Sequence, residues 1–447
     1  MIALGVAWVL DGLEVTLVGS LGVVLQRHDT LALSASEIGA SGSLYIGGAV
    51  LGAIFFGRLT DRLGRKKLFL TTLAVYMAAT LATAFAPNYR WFAICRFATG
   101  FGIGGEYAAI NSAIDELIPA RLRGRVNLSI NGSFWLGAAL GAALSLVLLD
   151  PRVLGAKLGW RVCFLLGAVF AAVILLVRRH VPESPRWLLS HGREADAEAV
   201  VEQIEAEIKM RAGALAPVTD TTQYAGRAAV SLAQVARVLI VEYRQRSLVA
   251  LALILAQAFF YNAIFFTYAL VLGRFYQVPG DKVALYIFPF ALGNVLGPIL
   301  LGPLFDSIGR RRMIGFTYIL SAIGLALTAW AFVAGMLDAR SQTLCWSVVF
   351  FMASAAASSA YLTVSEIFPL EMRALAIAVF YAIGTAIGGM GAPVLLGVLI
   401  QTGSRVSVAE GWGLGAVLML VAGAVAFAFG VDAERKSLEA IAPPMST

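Results

Sequence analysis

Apolar runs as long as a lipid bilayer is thick follow one another along this chain, separated only by short charged loops. Crossing about 30 Å of hydrocarbon takes roughly 20 residues of helix. Inside lipid the backbone must satisfy its own hydrogen bonds, which leaves helices or closed barrels. The runs here are continuous and rich in Leu, Ala and Gly, without the two-residue alternation of a barrel strand. Composition agrees: hydrophobic residues make up 59% of the chain and charged residues 14%, against roughly 25% charged in soluble domains, and the mean hydropathy is +0.82. The expected fold is all-α, a polytopic membrane protein.

Reading the runs between charged breaks predicts spans at 2–25, 38–60, 68–86, 90–116, 125–149 and 160–180, then at 247–276, 282–307, 313–334, 343–367, 373–400 and 411–431. This arrangement is twelve transmembrane helices in two pseudo-symmetric six-helix bundles, 1–180 and 247–431, with a cytoplasmic linker at 181–246 and a cytoplasmic tail at 432–447. In the linker, charged and apolar residues alternate from Arg193 to Arg211 as in a short amphipathic helix. Pro217 and the polar run Thr219 to Gln223 read as loop.

The net charge of +7 does not mark a nucleic-acid partner, because the basic residues sit in short loops where they set orientation. One set of loops holds Arg62, Arg65, Lys66, Lys67, Arg121, Arg123, Arg125, Arg310, Arg311, Arg312 and Arg373. The opposite loops are poorer, with Arg27, Arg90, Arg152, Lys157, Arg274, Lys282, Arg340 and Arg405. This asymmetry places both termini in the cytoplasm. The first 25 residues lack a basic leader and a small-residue cleavage site, so no signal peptide is expected. Met1 opens directly into an apolar segment, which leaves room for a start further upstream.

The two halves repeat. Gly57-Arg58-Leu59-Thr60-Asp61-Arg62-Leu63-Gly64-Arg65-Lys66-Lys67 follows span 2, and Gly302-Pro303-Leu304-Phe305-Asp306-Ser307-Ile308-Gly309-Arg310-Arg311-Arg312 follows span 8. Asp115-Glu116-Leu117-Ile118-Pro119 to Arg123 ends span 4, and Ser365-Glu366-Ile367-Phe368-Pro369 to Arg373 ends span 10. Parallel repeats of this kind set a substrate site between the halves.

The Gly57–Lys67 segment resembles the loop 2–3 signature of the major facilitator superfamily. Arg96-x-x-x-Gly100-x-Gly102-x-Gly104, Glu116-x-x-Pro119 with Arg123-Gly124, Pro182-Glu183-Ser184-Pro185-Arg186-Trp187-Leu188-Leu189, and Glu366-x-x-Pro369 with Arg373 resemble its sugar-porter branch. The chain departs from those porters in span 7, Ala256-Gln257-Ala258-Phe259-Phe260-Tyr261-Asn262, which lacks one glutamine and the glycine. It departs again in span 10, Ala355-Ala356-Ala357-Ser358-Ser359-Ala360-Tyr361, which has no proline. Gly104-Gly105-Glu106-Tyr107 is similar to span 4 of metabolite–proton symporters, and Asp11-Gly12-Leu13-Glu14 to span 1 of aromatic-acid–proton symporters.

The resemblance implies a secondary active transporter in the plasma or inner membrane that moves an organic acid, an aromatic acid or a sugar by alternating access with proton symport. Two alternatives stay open: a metabolite or drug exporter by proton antiport, and a non-transporting, receptor-like member. The Gly-Pro motif usual in span 5 of efflux members is absent from Gly137-Ala138-Ala139-Leu140-Gly141, against the exporter. The expected partners are a small-molecule substrate, a proton and the lipid bilayer, with a monomer as the expected state.

A charged side chain at mid-membrane costs about 2.5–3.5 kcal/mol on insertion scales, so each needs a reason. Glu14 and Asp11 share one face of span 1, and in proton-coupled sugar porters an acid at the Glu14 position meets an arginine at the Arg96 position. The resemblance thus implies Glu14 as proton carrier, Asp11 as a second acid, and Arg96 as the partner, the plain alternative being a permanent ion pair. Glu106 lies about 15 Å beyond Arg96 on the same helix, as a cavity residue or as the partner of a loop arginine. Substrate candidates are the polar or aromatic residues within spans: Asn131 and Trp135 in span 5, Gln257, Tyr261 and Asn262 in span 7, and Tyr361 in span 10. Amides suit sugar hydroxyls and carboxylates alike. Asp61 with Arg65, Glu116 with Arg123, Glu183 with Arg186, Asp306 with Arg310 and Glu366 with Arg373 resemble the family's cytoplasmic gate, a set of salt bridges that break when the inside opens.

No nucleophile–base set marks an enzyme, and no cofactor is expected. The three histidines, His28, His180 and His191, are too scattered for a metal site, and the three cysteines, Cys95, Cys163 and Cys345, read as inert thiols in apolar runs.

Overall fold

The computed structural model describes residues 6, 8–10, 12, 13, 16, 21, 24, 25, 27–150, 152–178, 183–212, 232–265, 267–278 and 280–443. All the regular elements among them are helical. Among the described residues, nine helices are long and apolar enough to cross a membrane, at the places of spans 2, 3, 5 and 7 to 12. Two more, Tyr89–Leu117 and Gly155–Arg178, stand at spans 4 and 6. With span 1, only partly described, this is the expected all-α arrangement of twelve spans in two six-helix bundles. In the linker the amphipathic segment forms the helix Glu194–Ala212, preceded by Pro185–Ser190, whose Ser184 hydroxyl caps the Trp187 amide ahead of a proline at the first turn.

Pseudo-symmetry extends from the motifs to the packing. Spans 2 (Ala35–Leu63) and 4 (Tyr89–Leu117) touch backbone to backbone: a Cβ on Gly48 would collide with the Phe97 carbonyl, and one on Gly52 with that of Phe101. In the second half, Gly293 meets the Ser347 carbonyl and Gly297 that of Phe351, joining span 8 (Ile287–Ser307) to span 10 (Ala339–Ile367) in the same way. Where lipid is as apolar as any side chain, helices associate through such close packing rather than through hydrophobic burial.

The helix ends repeat too. Spans 3 (Arg65–Ala84) and 9 (Arg310–Val333) both start after a glycine with positive φ, Gly64 at 91° and Gly309 at 115°. An acid that follows the last span of each half reaches back to that turn. Glu183 accepts the Lys66 amide at 3.2 Å, and Glu434 the Arg310 amide at 3.3 Å. Each negative charge thereby complements a helix N-terminus. At the other ends of the same two spans, Arg161 donates to the carbonyls of Ala84 at 2.6 Å and Ala86 at 3.1 Å, and Arg405 to that of Phe332 at 2.8 Å. A cation there satisfies carbonyls that the helix leaves without partners.

Spans 5, 7 and 11 are interrupted where the sequence predicts continuous helix. Span 5 divides into Arg123–Gly132 and Phe134–Leu148, because the Ser133 hydroxyl takes the Ile130 carbonyl at 2.6 Å and tightens the turn. Span 7 divides into Arg244–Phe265 and Tyr268–Tyr276, where the Thr267 hydroxyl takes the Ala263 carbonyl. Span 11 contains a π turn, Thr385–Gly389, between Arg373–Gly384 and Met390–Gln401. Helix irregularities of this type gather at functional sites.

Two predictions follow from the packing and the caps. Gly52→Val forces a branched side chain into a carbonyl and is expected to lower stability by about 1–3 kcal/mol, read as a lower melting temperature in detergent. Leu51→Ala on the neighbouring lipid-facing position leaves that temperature unchanged. At the end opposite the basic loops, the Ser34 amide and hydroxyl hold Glu37 below the usual carboxylate range, and the Ser341 hydroxyl and amide do the same for Asp338. A depressed carboxyl stabilises above its unfolded pKa and loses that contribution as pH falls through the folded one, here below the ordinary carboxylate range. The Ser34 and Ser341 amides, which donate to these carboxylates, should lose protection against hydrogen exchange, relative to the intrinsic rate at each pH, in that acid range and not at neutral pH.

Candidate functional site

Two of the places where side chains of the two halves meet carry polar groups suited to a function. The first is at the basic end, where span 5 starts against the end of span 8. Asp306 accepts the amides of Gly124 at 3.1 Å and Arg125 at 2.8 Å, so a carboxylate of the second half caps a helix of the first. Arg310 bonds to Asp306 at 2.7 Å and to Glu366 at 3.0 Å, and Arg123 crosses from the first half to Glu366 at 3.3 Å. All four side chains are at most 9% exposed. Arg123 also donates to the Lys436 carbonyl at 3.4 Å, which draws the tail into the same contact. Two cations and two anions balance here, and burial of such groups is tolerable only because each is paired and hydrogen-bonded.

The pairing expected for Asp306 with Arg310 is therefore present. Glu366, expected with Arg373, bonds instead to Arg310 and Arg123, because helix ends that meet in space override spacing along one loop. Arg373 is buried and donates to the Phe368 carbonyl at 3.3 Å. Glu183, expected with Arg186, bonds to the amides of Lys66 and Ser184. The side chains of Asp61, Arg65, Glu116 and Arg186 lie outside the described residues.

The second place is a cavity of about 180 Å³ between the halves. The first half contributes Trp8, Tyr45, Ile46, Ala49, Asn131, Phe134 and Trp135. The second contributes Gln257, Ala258, Tyr261, Asn262, Phe265, Ser354, Ala357, Ser358, Tyr361, Tyr381 and Thr385. None of these described lining residues is charged. Aromatic rings dominate: Trp135 packs against Tyr261 at 5.9 Å and Phe265 at 5.2 Å between centroids, which ties span 5 to span 7 on the side away from the basic end. The breaks in spans 5, 7 and 11 all occur beside this cavity, next to Asn131, Phe265 and Thr385.

Six of the substrate candidates named from sequence, Asn131, Trp135, Gln257, Tyr261, Asn262 and Tyr361, thus line one cavity. The seventh, Glu106, has its backbone in span 4 and its side chain outside the described residues, as do Asp11 and Glu14 altogether. Arg96 is 1% exposed, with its guanidinium 4.8 Å from the ring centroid of Tyr45, a cavity residue, and 5.9 Å from that of Phe164. Sequence reasoning missed Tyr45, Phe134, Phe265 and Tyr381, since an aromatic residue in an apolar span reads equally as lipid-facing. It also missed Glu434, for which the repeat did hold a signal: it follows the last span of its half, as Glu183 does.

The family described as Sugar (and other) transporter matches residues 21–442. The Niacin transporter NiaP of Acinetobacter baylyi is 30% identical over 441 residues, 98% of this chain and 94% of that protein. The Putative metabolite transport protein YdjK of Escherichia coli is 28% identical over 437 residues, 94% and 90% of the two chains. Among solved structures, the major facilitator superfamily proton:xylose symporter XylE bound to 6-bromo-6-deoxy-D-glucose aligns with a TM-score of 0.79 at 20% identity, covering 98% of this chain and 97% of that one. The partially occluded inward open conformation of the xylose transporter XylE from E. coli gives 0.68 at 19% identity, over 96% and 97%. The chain belongs to the sugar (and other) transporter family, within the major facilitator superfamily. It is an integral membrane transporter of a sugar or other metabolite, not an enzyme.

Removing one carboxylate from the buried cluster leaves two arginines short of charge, and breaking such a pair costs about 3–5 kcal/mol. In Glu366→Gln the two halves should separate at the basic end. Spin labels on the exposed positions Arg121 and Arg312 are expected to show a longer, broader distance distribution than in the unsubstituted chain. An unchanged distribution would show that this pairing does not hold the seam.

Proposed function

We propose that this family member moves a small aromatic metabolite, in the first place an aromatic acid, across the cell membrane by alternating access in symport with a proton. The observation that carries this reading is the cavity: it lies between the repeated halves, is walled by aromatic rings and neutral polar groups, and measures about 180 Å³. An apolar cavity of roughly 150 Å³ takes up benzene, so the space suits a single substituted ring. A relative named for niacin, itself a small aromatic ring, is in keeping with this choice.

The bundles 1–180 and 247–431 rock about the cavity, joined by the linker 181–246, with the basic end and both termini in the cytoplasm. The cluster of Arg123, Asp306, Arg310 and Glu366 acts as the cytoplasmic gate, closed in the arrangement seen here. Asp61, Arg65, Glu116, Glu183, Arg186 and Arg373 belong to the same end of the molecule. Asn131, Trp135, Gln257, Tyr261, Asn262, Tyr361 and Glu106 bind the substrate.

Glu14 carries the proton, with Asp11 as second acid and Arg96 as the cation that lowers its proton affinity when near. Support comes from span 1, whose Trp8 lines the cavity, and from Arg96, which rests on the Tyr45 ring of its wall.

Uptake into proteoliposomes with an inward proton gradient tests the reading, with aromatic carboxylates, short organic acids, pentoses and hexoses offered in parallel. An aromatic carboxylate should accumulate against its gradient. Glu14→Gln should abolish accumulation and spare counterflow. Accumulation of a sugar alone would reject the aromatic substrate, and gradient-driven accumulation by Glu14→Gln would reject Glu14 as carrier.

A further inference from the structure

One wall of the cavity has its hydrogen-bond direction set from behind. Asn294 is fully buried in span 8 and is not among the cavity-lining residues. Its side-chain nitrogen lies 2.8 Å from the main-chain carbonyl of Phe290, and its side-chain oxygen 2.8 Å from the Tyr261 hydroxyl. A main-chain carbonyl can only accept, so the amide nitrogen must face Phe290 and the amide oxygen must face Tyr261. That oxygen has no proton to give. Tyr261 therefore spends its single proton on Asn294 and can offer the cavity only lone pairs.

Two neighbours on the same wall follow the same logic. The Ser354 hydroxyl donates to the main-chain carbonyl of Asn294 at 2.7 Å, which leaves its oxygen as an acceptor. Asn262 gives one N–H to the Ala258 carbonyl at 2.7 Å, which fixes the nitrogen side of its amide and leaves the oxygen and one N–H for other partners. Taken together, this edge is rich in acceptors and poor in donors. A carbonyl, carboxylate, ether or halogen placed against Tyr261 and Ser354 meets lone pairs and gains no hydrogen bond from them. A hydroxyl or amino group meets what it needs.

We propose that Asn294 is a positioning residue that locks the Tyr261 hydroxyl as an acceptor, and that the substrate presents an O–H or N–H donor to the edge formed by Tyr261, Asn262 and Ser354. This rests on the proposal above that the cavity is the substrate site and takes one aromatic ring. It adds a requirement on that ring: a donor substituent on the side facing span 7, with any carboxylate directed elsewhere in the cavity.

Equilibrium binding to the full chain in lipid nanodiscs provides the test, with 4-hydroxybenzoate, 4-aminobenzoate and 4-fluorobenzoate as probes. The three share a ring and a carboxylate and differ in whether the opposite substituent donates. The hydroxy and amino rings should bind at least about tenfold more tightly than the fluoro ring, the scale on which an unmatched buried polar group weakens a complex. Tyr261→Phe should remove most of that difference. Asn294→Leu frees the Tyr261 proton and should narrow the difference while leaving 4-hydroxybenzoate binding measurable.

Equal binding of all three probes by the unsubstituted chain overturns the donor requirement and leaves the aromatic reading standing. An undiminished preference in Asn294→Leu overturns the role of Asn294. Should that variant fail to fold, the ratio in the unsubstituted chain and its loss in Tyr261→Phe still decide the donor requirement. Binding of none of the rings, while a sugar or aliphatic acid binds, rejects the aromatic reading and this inference with it.

Discussion

Asp306 joins the two halves at the basic end, where one carboxylate serves both. It pairs with Arg310 of its own half and accepts two amides at the start of span 5 in the other. Around it, Arg123 and Glu366 complete a buried, electrically balanced set. The balance holds only while the halves are together. Parting them would leave Arg310 with two carboxylates on one side and take Arg123 from Glu366 on the other, charges that water must then solvate. A contact that is satisfied in either of two states, dry and paired or wet and separate, is the kind of bistable element on which alternating access depends.

The repeat gives this seam its footing. Spans 3 and 9 are finished alike, by an acid reaching back to a glycine turn at one end and an arginine on the last carbonyls at the other. Spans 2 with 4, and 8 with 10, are locked by glycines that admit the neighbouring backbone. These devices act within each half and make each a firm body. Strong contacts inside the halves and a balanced, breakable contact between them are what two rocking bundles require.

Both halves wall the cavity with aromatic rings, Trp8, Tyr45, Phe134 and Trp135 from the first and Tyr261, Phe265, Tyr361 and Tyr381 from the second. The helix breaks in spans 5, 7 and 11 lie beside the cavity, next to Asn131, Phe265 and Thr385. Behind it, Asn294 governs which way the Tyr261 hydroxyl points without touching the space itself. Chemistry at the site is thus decided partly by residues that no cavity survey would name.

What the sequence determined by itself was whatever is local or repeated. Span positions follow from run length because a bilayer imposes one thickness on every crossing helix. The two halves follow from motifs that recur in order, and the polar candidates of spans 5, 7 and 10 could be named because few polar groups are placed in lipid without a reason. Only the tertiary structure decided partners and faces. Glu366 bonds to Arg310 and Arg123 rather than to the nearer Arg373, since distance along the chain says little about which helix ends meet. Tyr45 and Phe265 line the cavity while Phe55 and Trp330 are exposed on the outer surface. In the sequence these aromatics look alike: with lipid as apolar as the protein core, hydrophobicity cannot mark which face of a helix turns inward.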